Sequence, residues 1–233
     1  MMENLANDTT LTIPAARRST MTITGQHMLD NGYDPAFVAG MLANIEGEGN
    51  FGQFEGAGNQ SYLQYFINNH DYANRFSWRH IYTDSDSAAV YESLQQIYDM
   101  ANNSGQTNIF GLGAIQRTNR PRFLSLIEIY GEKSGGMNRR ITTRNQVIEA
   151  ENELLIRELS GQGNHTGGGG VPWGSNLLDV WRTRNYGNLN SEHGAGDAGS
   201  LISNSFVRPF DPVGAIASER ANIATNIFRI MML

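Results

Sequence analysis

The 233-residue chain contains no cysteine, which removes disulfides, thiolate nucleophiles and thiolate metal ligands at a stroke. It has no apolar run of 18 residues, so no membrane insertion is expected. The first 20 residues lack the apolar core of a signal peptide. The five histidines, His27, His70, His80, His165 and His193, form neither a His-Glu-x-x-His pair nor any close metal-ligand pairing. No Gly-x-Ser-x-Gly nucleophile elbow occurs. No metal and no cofactor is therefore expected, and serine- or zinc-hydrolase chemistry is unsupported. An excess of cations is also missing: 17 basic against 23 acidic residues give a net charge of −6, which argues against a nucleic-acid partner. Arg117, Arg120, Arg122, Lys133, Arg139, Arg140 and Arg144 do crowd into one window, either as a patch for an anionic polymer or as a solvated helical face. Two segments, Gly47 to Gly52 and Gly194 to Gly199, match G-x-G-x-x-G. Neither follows a strand in a β/α/β pattern, so neither reads as a dinucleotide site.

What the sequence does have is a well-punctuated helix that ends in a carboxylate. Asp34 is a good N-cap and Pro35 suits the first helical position, where its missing N–H costs nothing. At 100° per residue, Val38, Met41 and Leu42 lie within about 60° of Ile45, forming one apolar stripe. Glu48 falls at the edge of that stripe, about 60° from Ile45, whereas Glu46 points roughly 100° away and is expected outside. An inward carboxyl at a helix end, between Gly47 and Gly49 and anchored by Phe51, is a candidate general acid.

Residues 1–18 are polar and unpatterned, a tail or docking arm, and residues 19–233 form the main domain. A first helix is predicted over Thr20 to Asp30, stopped by Asn31-Gly32, and an aromatic-rich one over Ser61 to Phe76. Another starts near Asp86 or Ser87 and ends near Asn103-Ser104-Gly105. Ile109 to Gln116, apolar and glycine-spaced, predicts a strand or hairpin approached closely by another group. A helix over Arg120 to Tyr130 precedes a break at Ser134-Gly135-Gly136. Thr143-Arg144-Asn145-Gln146 has the form of a capping box and starts a helix to about Leu159, with Glu151 in the middle of its apolar stripe. An inward glutamate must be paired or hydrogen-bonded. Residues 161–170 form a flexible Gly-rich loop. Helices over Trp173 to Trp181, Ala198 to Phe206 and Ile216 to Met231 complete the pattern, with a rigid linker at Arg208 to Pro212.

Two runs, Gly40-Met41-Leu42-Ala43-Asn44-Ile45-Glu46-Gly47-Glu48-Gly49-Asn50-Phe51 and Phe110-Gly111-Leu112-Gly113-Ala114-Ile115-Gln116-Arg117-Thr118, resemble the glutamate signature and the glycine strand of the phage tail-type lysozymes. Ala198 to Pro209 resembles a helix and turn near the family's C-terminus, and Glu219-Arg220-Ala221-Asn222-Ile223-Ala224 falls where the family has its terminal arginine-bearing helix. The resemblance implies an α+β, mainly α, lysozyme-like fold with a small glycine-rich hairpin beside the active-site cleft. It implies cleavage of peptidoglycan glycan strands, with Glu48 as the catalytic glutamate. Gln116 and the segment holding Gly113 would form the opposite cleft wall. By residue type, Tyr62 and Phe206 are either core side chains or rings that stack on a sugar.

A second carboxylate would be Glu55, ahead of Glu151 and Asp197. Without one, the substrate's own N-acetyl or 6-hydroxyl group attacks, the latter giving an anhydro product. Lytic transglycosylases share the glutamate and a similar strand, so that activity is the first alternative. Gly49 stands for the usual serine, Arg117 for the usual tryptophan and Val207 for a common acidic residue. These departures suggest the second alternative, a phage tail or injection-machine domain that binds wall without cutting it. The implied partners are peptidoglycan and other virion proteins. The implied location is a phage particle, or release by a holin, acting at the bacterial cell wall.

Overall fold

The structure is a computed structural model and describes residues 1–48, 61–75, 93–115, 117–140, 143–160, 177–207 and 214–233. The chain is mainly helical and divides into two compact units, one of residues 1–48 with 155–233 and one of residues 49–154.

The first unit is built on α3 (Pro35–Glu48), whose bounds match the Asp34-Pro35 start and the carboxylate end read from the sequence. The Asp34 carbonyl accepts from the Val38 N–H at 2.9 Å, as an N-cap does. Burial differs from the single stripe expected, because every residue from Ala36 to Ile45 is buried. A helix apolar all round belongs in the middle of a core. It is packed by α2 (Ala15–Asp30), α10 (Glu192–Ile202) and α11 (Ala215–Met231). Close approach is set by glycine: a Cβ on Gly40 would lie 2.5 Å from Ala198 Cβ and 2.7 Å from the Gly199 nitrogen, and one on Gly199 would lie 2.6 Å from the Arg220 carbonyl oxygen. Asn44 ties the contact by donating to the carbonyls of Gly40 and Gly199, both at 2.9 Å. The Gly194-to-Gly199 motif thus serves helix packing. Residues 1–18, read as a tail or docking arm, carry α1 (Met2–Asn7), which packs on α2 and α11 with Met2 and Leu5 buried. In α9 (Leu177–Arg184), Trp181 meets Phe37 edge-on at 5.4 Å and donates to the Gly194 carbonyl at 2.9 Å. After α10 the chain makes a π-helical turn, Ser203–Val207.

The second unit has α4 (Ser61–His70), α5 (Tyr72–Arg75), α6 (Leu94–Asn103), α7 (Arg120–Ser134) and the part of α8 (Arg144–Leu159) up to Leu154. The single helix expected from Ser61 is interrupted at Asp71, whose φ of 50° lies in the left-handed region that a helix cannot use. Ser93 caps α6 in a capping box with Gln96, and Thr143 with Gln146 does the same for α8. Gly135, with φ 80°, ends α7. The glycine-spaced segment makes an isolated antiparallel bridge, Asn108 to Asn119, flanked by bonds from Ile109 N to Thr118 O and Arg117 N to Leu112 O; no regular strand forms among the described residues. Phe110 is the hub of this core, meeting Phe66, Tyr72 and Phe123 at 5.4, 4.7 and 5.1 Å.

Candidate active site

At the C-terminal end of α3, the half-buried Glu48 carboxyl is held above its ordinary pKa by burial, against the opposing charge of Arg220. Arg220 comes from the first turns of α11 and is 6% exposed. Its guanidinium lies directly on the backbone of Gly47, where any Cβ would overlap it. Gly47 is therefore the residue type that this arrangement requires. The same cation reaches Glu46, whose carboxyl burial also raises, against Arg17 and, more weakly, Arg220.

Glu46 corrects the simple stripe reading. It is not on the outside: its Oε1 accepts from Arg17 Nη1 at 2.9 Å, with the two side chains 17% and 30% exposed. The N-terminal segment covers the face that periodicity assigned to solvent. Together, Thr10 to Ile13, Glu46, Gly47 and the outer turns of α11 from Ile216 to Asn226 line a pocket of about 680 Å³. Arg17 and Arg220 are the site residues that sequence reasoning left without a role. Arg220 did carry a signal, since it lies on the helical stripe of Ile223, Ile227 and Ile230, where a cation needs a partner.

Glu55 and Gln116 lie outside the described residues. Phe206 is fully buried in the first unit, which makes it a core residue rather than an open stacking platform. Tyr62 is half-buried against the core of the second unit. Gly113, in the same unit, has φ 84°, and a Cβ there would overlap the Glu151 carboxylate. Glu151 itself is locked in place. It accepts from Arg117 Nη1 at 2.7 Å, from the Tyr130 hydroxyl at 2.7 Å and from the Ala114 N–H at 3.2 Å, all buried. This is the close approach that the glycine spacing foretold, and it uses Glu151 as a structural anchor. Asp197 accepts from Asn185 Nδ2 at 2.7 Å. Both reserve candidates for a second carboxylate are thus already engaged.

The basic window is not a continuous patch either. Arg117 and Arg122 are buried, and Lys133 pairs with Glu153 at 2.6 Å. Among the described residues no His/Asp/Glu group could hold a metal ion, and no helix is long and apolar enough to cross a membrane. Comparison with protein families, curated proteins and solved structures gives no match to this chain.

Proposed function

We propose that the chain is a lysozyme-type glycosidase that cleaves the glycan strand of peptidoglycan, with Glu48 delivering the proton to the leaving oxygen. The observation that carries this reading is the state of Glu48: a half-buried carboxyl at the end of the central helix, kept protonated to higher pH than a free glutamate. A general acid must hold its proton near working pH and release it as the glycosidic bond lengthens. The resemblance of the Gly40-to-Phe51 and Phe110-to-Thr118 runs to the tail-type lysozymes supplies the substrate class.

An inverting enzyme sets its second carboxylate ~6.5–9.5 Å from the acid, and a retaining one ~5–5.5 Å. With Glu151 in its buried ion pair and Asp197 held by Asn185, Glu55 remains the candidate in the sequence. The same engagement favours a second reading, a lytic transglycosylase in which the sugar's 6-hydroxyl attacks and Glu48 acts as acid and then base. In either case the resemblance assigns the holding of the sugar to Gln116 and the Gly111-to-Gly113 segment. Arg117, whose substitution for tryptophan suggested a non-catalytic wall binder, has a structural reason of its own in Glu151. A phage particle or holin would bring the protein to the wall.

The test is digestion of purified sacculi followed by mass spectrometry of the released fragments. Reducing-end muropeptides support the hydrolase. Fragments lighter by one water assign the transglycosylase, and binding to sacculi with no release at all refutes both enzymatic readings.

A further inference from the structure

Four charged groups are interleaved around the last turn of α3: Arg17, Glu46, Arg220 and Glu48. They come from three elements of one unit, and their order alternates in sign. Arg17 holds Glu46 at 2.9 Å from one side. Arg220 reaches the same helix end from the other, seated on Gly47, between the two glutamates in sequence. One cation is therefore within electrostatic reach of Glu46 and Glu48, with the exposed Glu219 as a third carboxylate 3.4 Å from it, and it cannot serve all of them fully. The Glu46 Oε2 atom is buried and has no hydrogen-bond partner, and neither has Arg220 Nε. Glu46 and Arg220 line the same pocket, and these two complementary groups would join if Glu46 were released from Arg17.

We propose that Arg17 is a positioning residue for Glu48, acting through Glu46: by engaging that carboxylate, it leaves the Arg220 guanidinium on Gly47 and available to Glu48. The inference rests on Glu48 being the proton donor of the proposed glycosidase. It gives the N-terminal segment a task in the chemistry, because Arg17 stands at the start of α2. Of the remaining charged groups of the elements around α3, Glu219 also meets Arg220, and Arg18, Arg182, Glu192 and Asp197 have different partners. Arg18 donates to the Ile13 carbonyl, Glu219 faces Arg220 at 3.4 Å from a largely exposed position, and Arg182 holds Asp34 at the far end of the helix. On α10, Glu192 pairs with Arg229 and Asp197 with Asn185. None of them takes over the role of Arg17.

The experiment is a carbon-detected NMR titration of the Glu48 carboxyl in the full chain. Arg17→Gln frees Glu46, which adds a competing negative charge and draws Arg220 away, so the Glu48 midpoint moves to higher pH. Arg17→Lys restores the wild-type midpoint. In Arg17→Gln/Glu46→Gln the competitor is gone, and the midpoint returns to the wild-type value or below. Gly47→Ala, which displaces the guanidinium directly, raises the midpoint with Arg17 intact and so covers the case in which Arg17→Gln does not fold. An unmoved midpoint in Arg17→Gln or in Gly47→Ala overturns the proposal. So does a double variant that stays as high as Arg17→Gln, since Arg17 would then act without Glu46. Equal wall clearing by wild type and Glu48→Gln would instead remove the catalytic reading while leaving these titrations intact.

Discussion

Replacing Arg117 by methionine removes one side of an ion pair in which both side chains are only 1% exposed. Glu151 keeps two donors, the Tyr130 hydroxyl at 2.7 Å and the Ala114 N–H at 3.2 Å, and loses the buried cation that holds it at 2.7 Å. Breaking a buried pair on one side costs about 3–5 kcal/mol, because the stranded charge has no water to return to. Against a total stability of roughly 5–15 kcal/mol, Arg117→Met should remove about a fifth or more. Glu151→Gln takes the carboxylate from the buried guanidinium instead and should cost a similar amount. In Arg117→Met/Glu151→Gln no charge is buried, and the amide oxygen still accepts from Tyr130 or Ala114; the loss should fall to about 1–2 kcal/mol, near the net worth of one or two neutral hydrogen bonds. Urea unfolding of the four proteins measures the cycle. Single variants that each cost under about 1 kcal/mol, or a double variant that costs the sum of the singles, would refute the view that this pair anchors the glycine turn.

Three further outcomes follow from the packing and the charges. Gly40→Ala should destabilise by about 1–3 kcal/mol in urea titrations, despite alanine's better helix propensity, because its Cβ meets backbone atoms of α10 that cannot rotate away; a gain in stability would refute the close approach. Burial raises the folded-state pKa of Glu48, so its contribution to stability is complete below the unfolded-state value of about 4.3 and is lost as pH rises through the folded value. Glu48→Gln should therefore be at least as stable as wild type at neutral pH, and a clear loss of melting temperature there would contradict the assigned direction. Tyr130 has its folded pKa raised by burial and by Glu151, so wild type should lose stability as pH climbs past about 10. Denaturation at pH 8 and 10.5 should show a smaller loss in Tyr130→Phe.

The parts of this structure that are legible in the sequence are those written in neighbouring residues. Asp34-Pro35 marked the start of α3, Thr143 with Gln146 the start of α8, and Gly135 the end of α7, because caps and turns are settled within four residues. Glu151 was legible as an inward carboxylate needing a partner, yet the partner, Arg117, lies 34 residues away and no local pattern names it. Glu46 was misplaced for the same reason. Periodicity gives the angle between a side chain and its own helix stripe, not which other segment covers that angle, and here residues 10–17 cover it. The expected hairpin reduces to one bridge, since the segment turns around Glu151 instead of extending a ladder. Phe206 shows the limit for aromatics: a ring that can serve as platform or core is decided only by what packs on it.

All of the functional reading converges on one carboxyl. Turbidity clearing of purified cell walls by wild type and by Glu48→Gln, at equal concentration and at the pH optimum of the wild type, tests it most directly. General acid catalysis of this kind contributes on the order of 10²–10⁴-fold, so the variant should clear walls at least about 100-fold more slowly while still folding. Equal clearing by the two proteins would contradict the assignment of Glu48 as the proton donor.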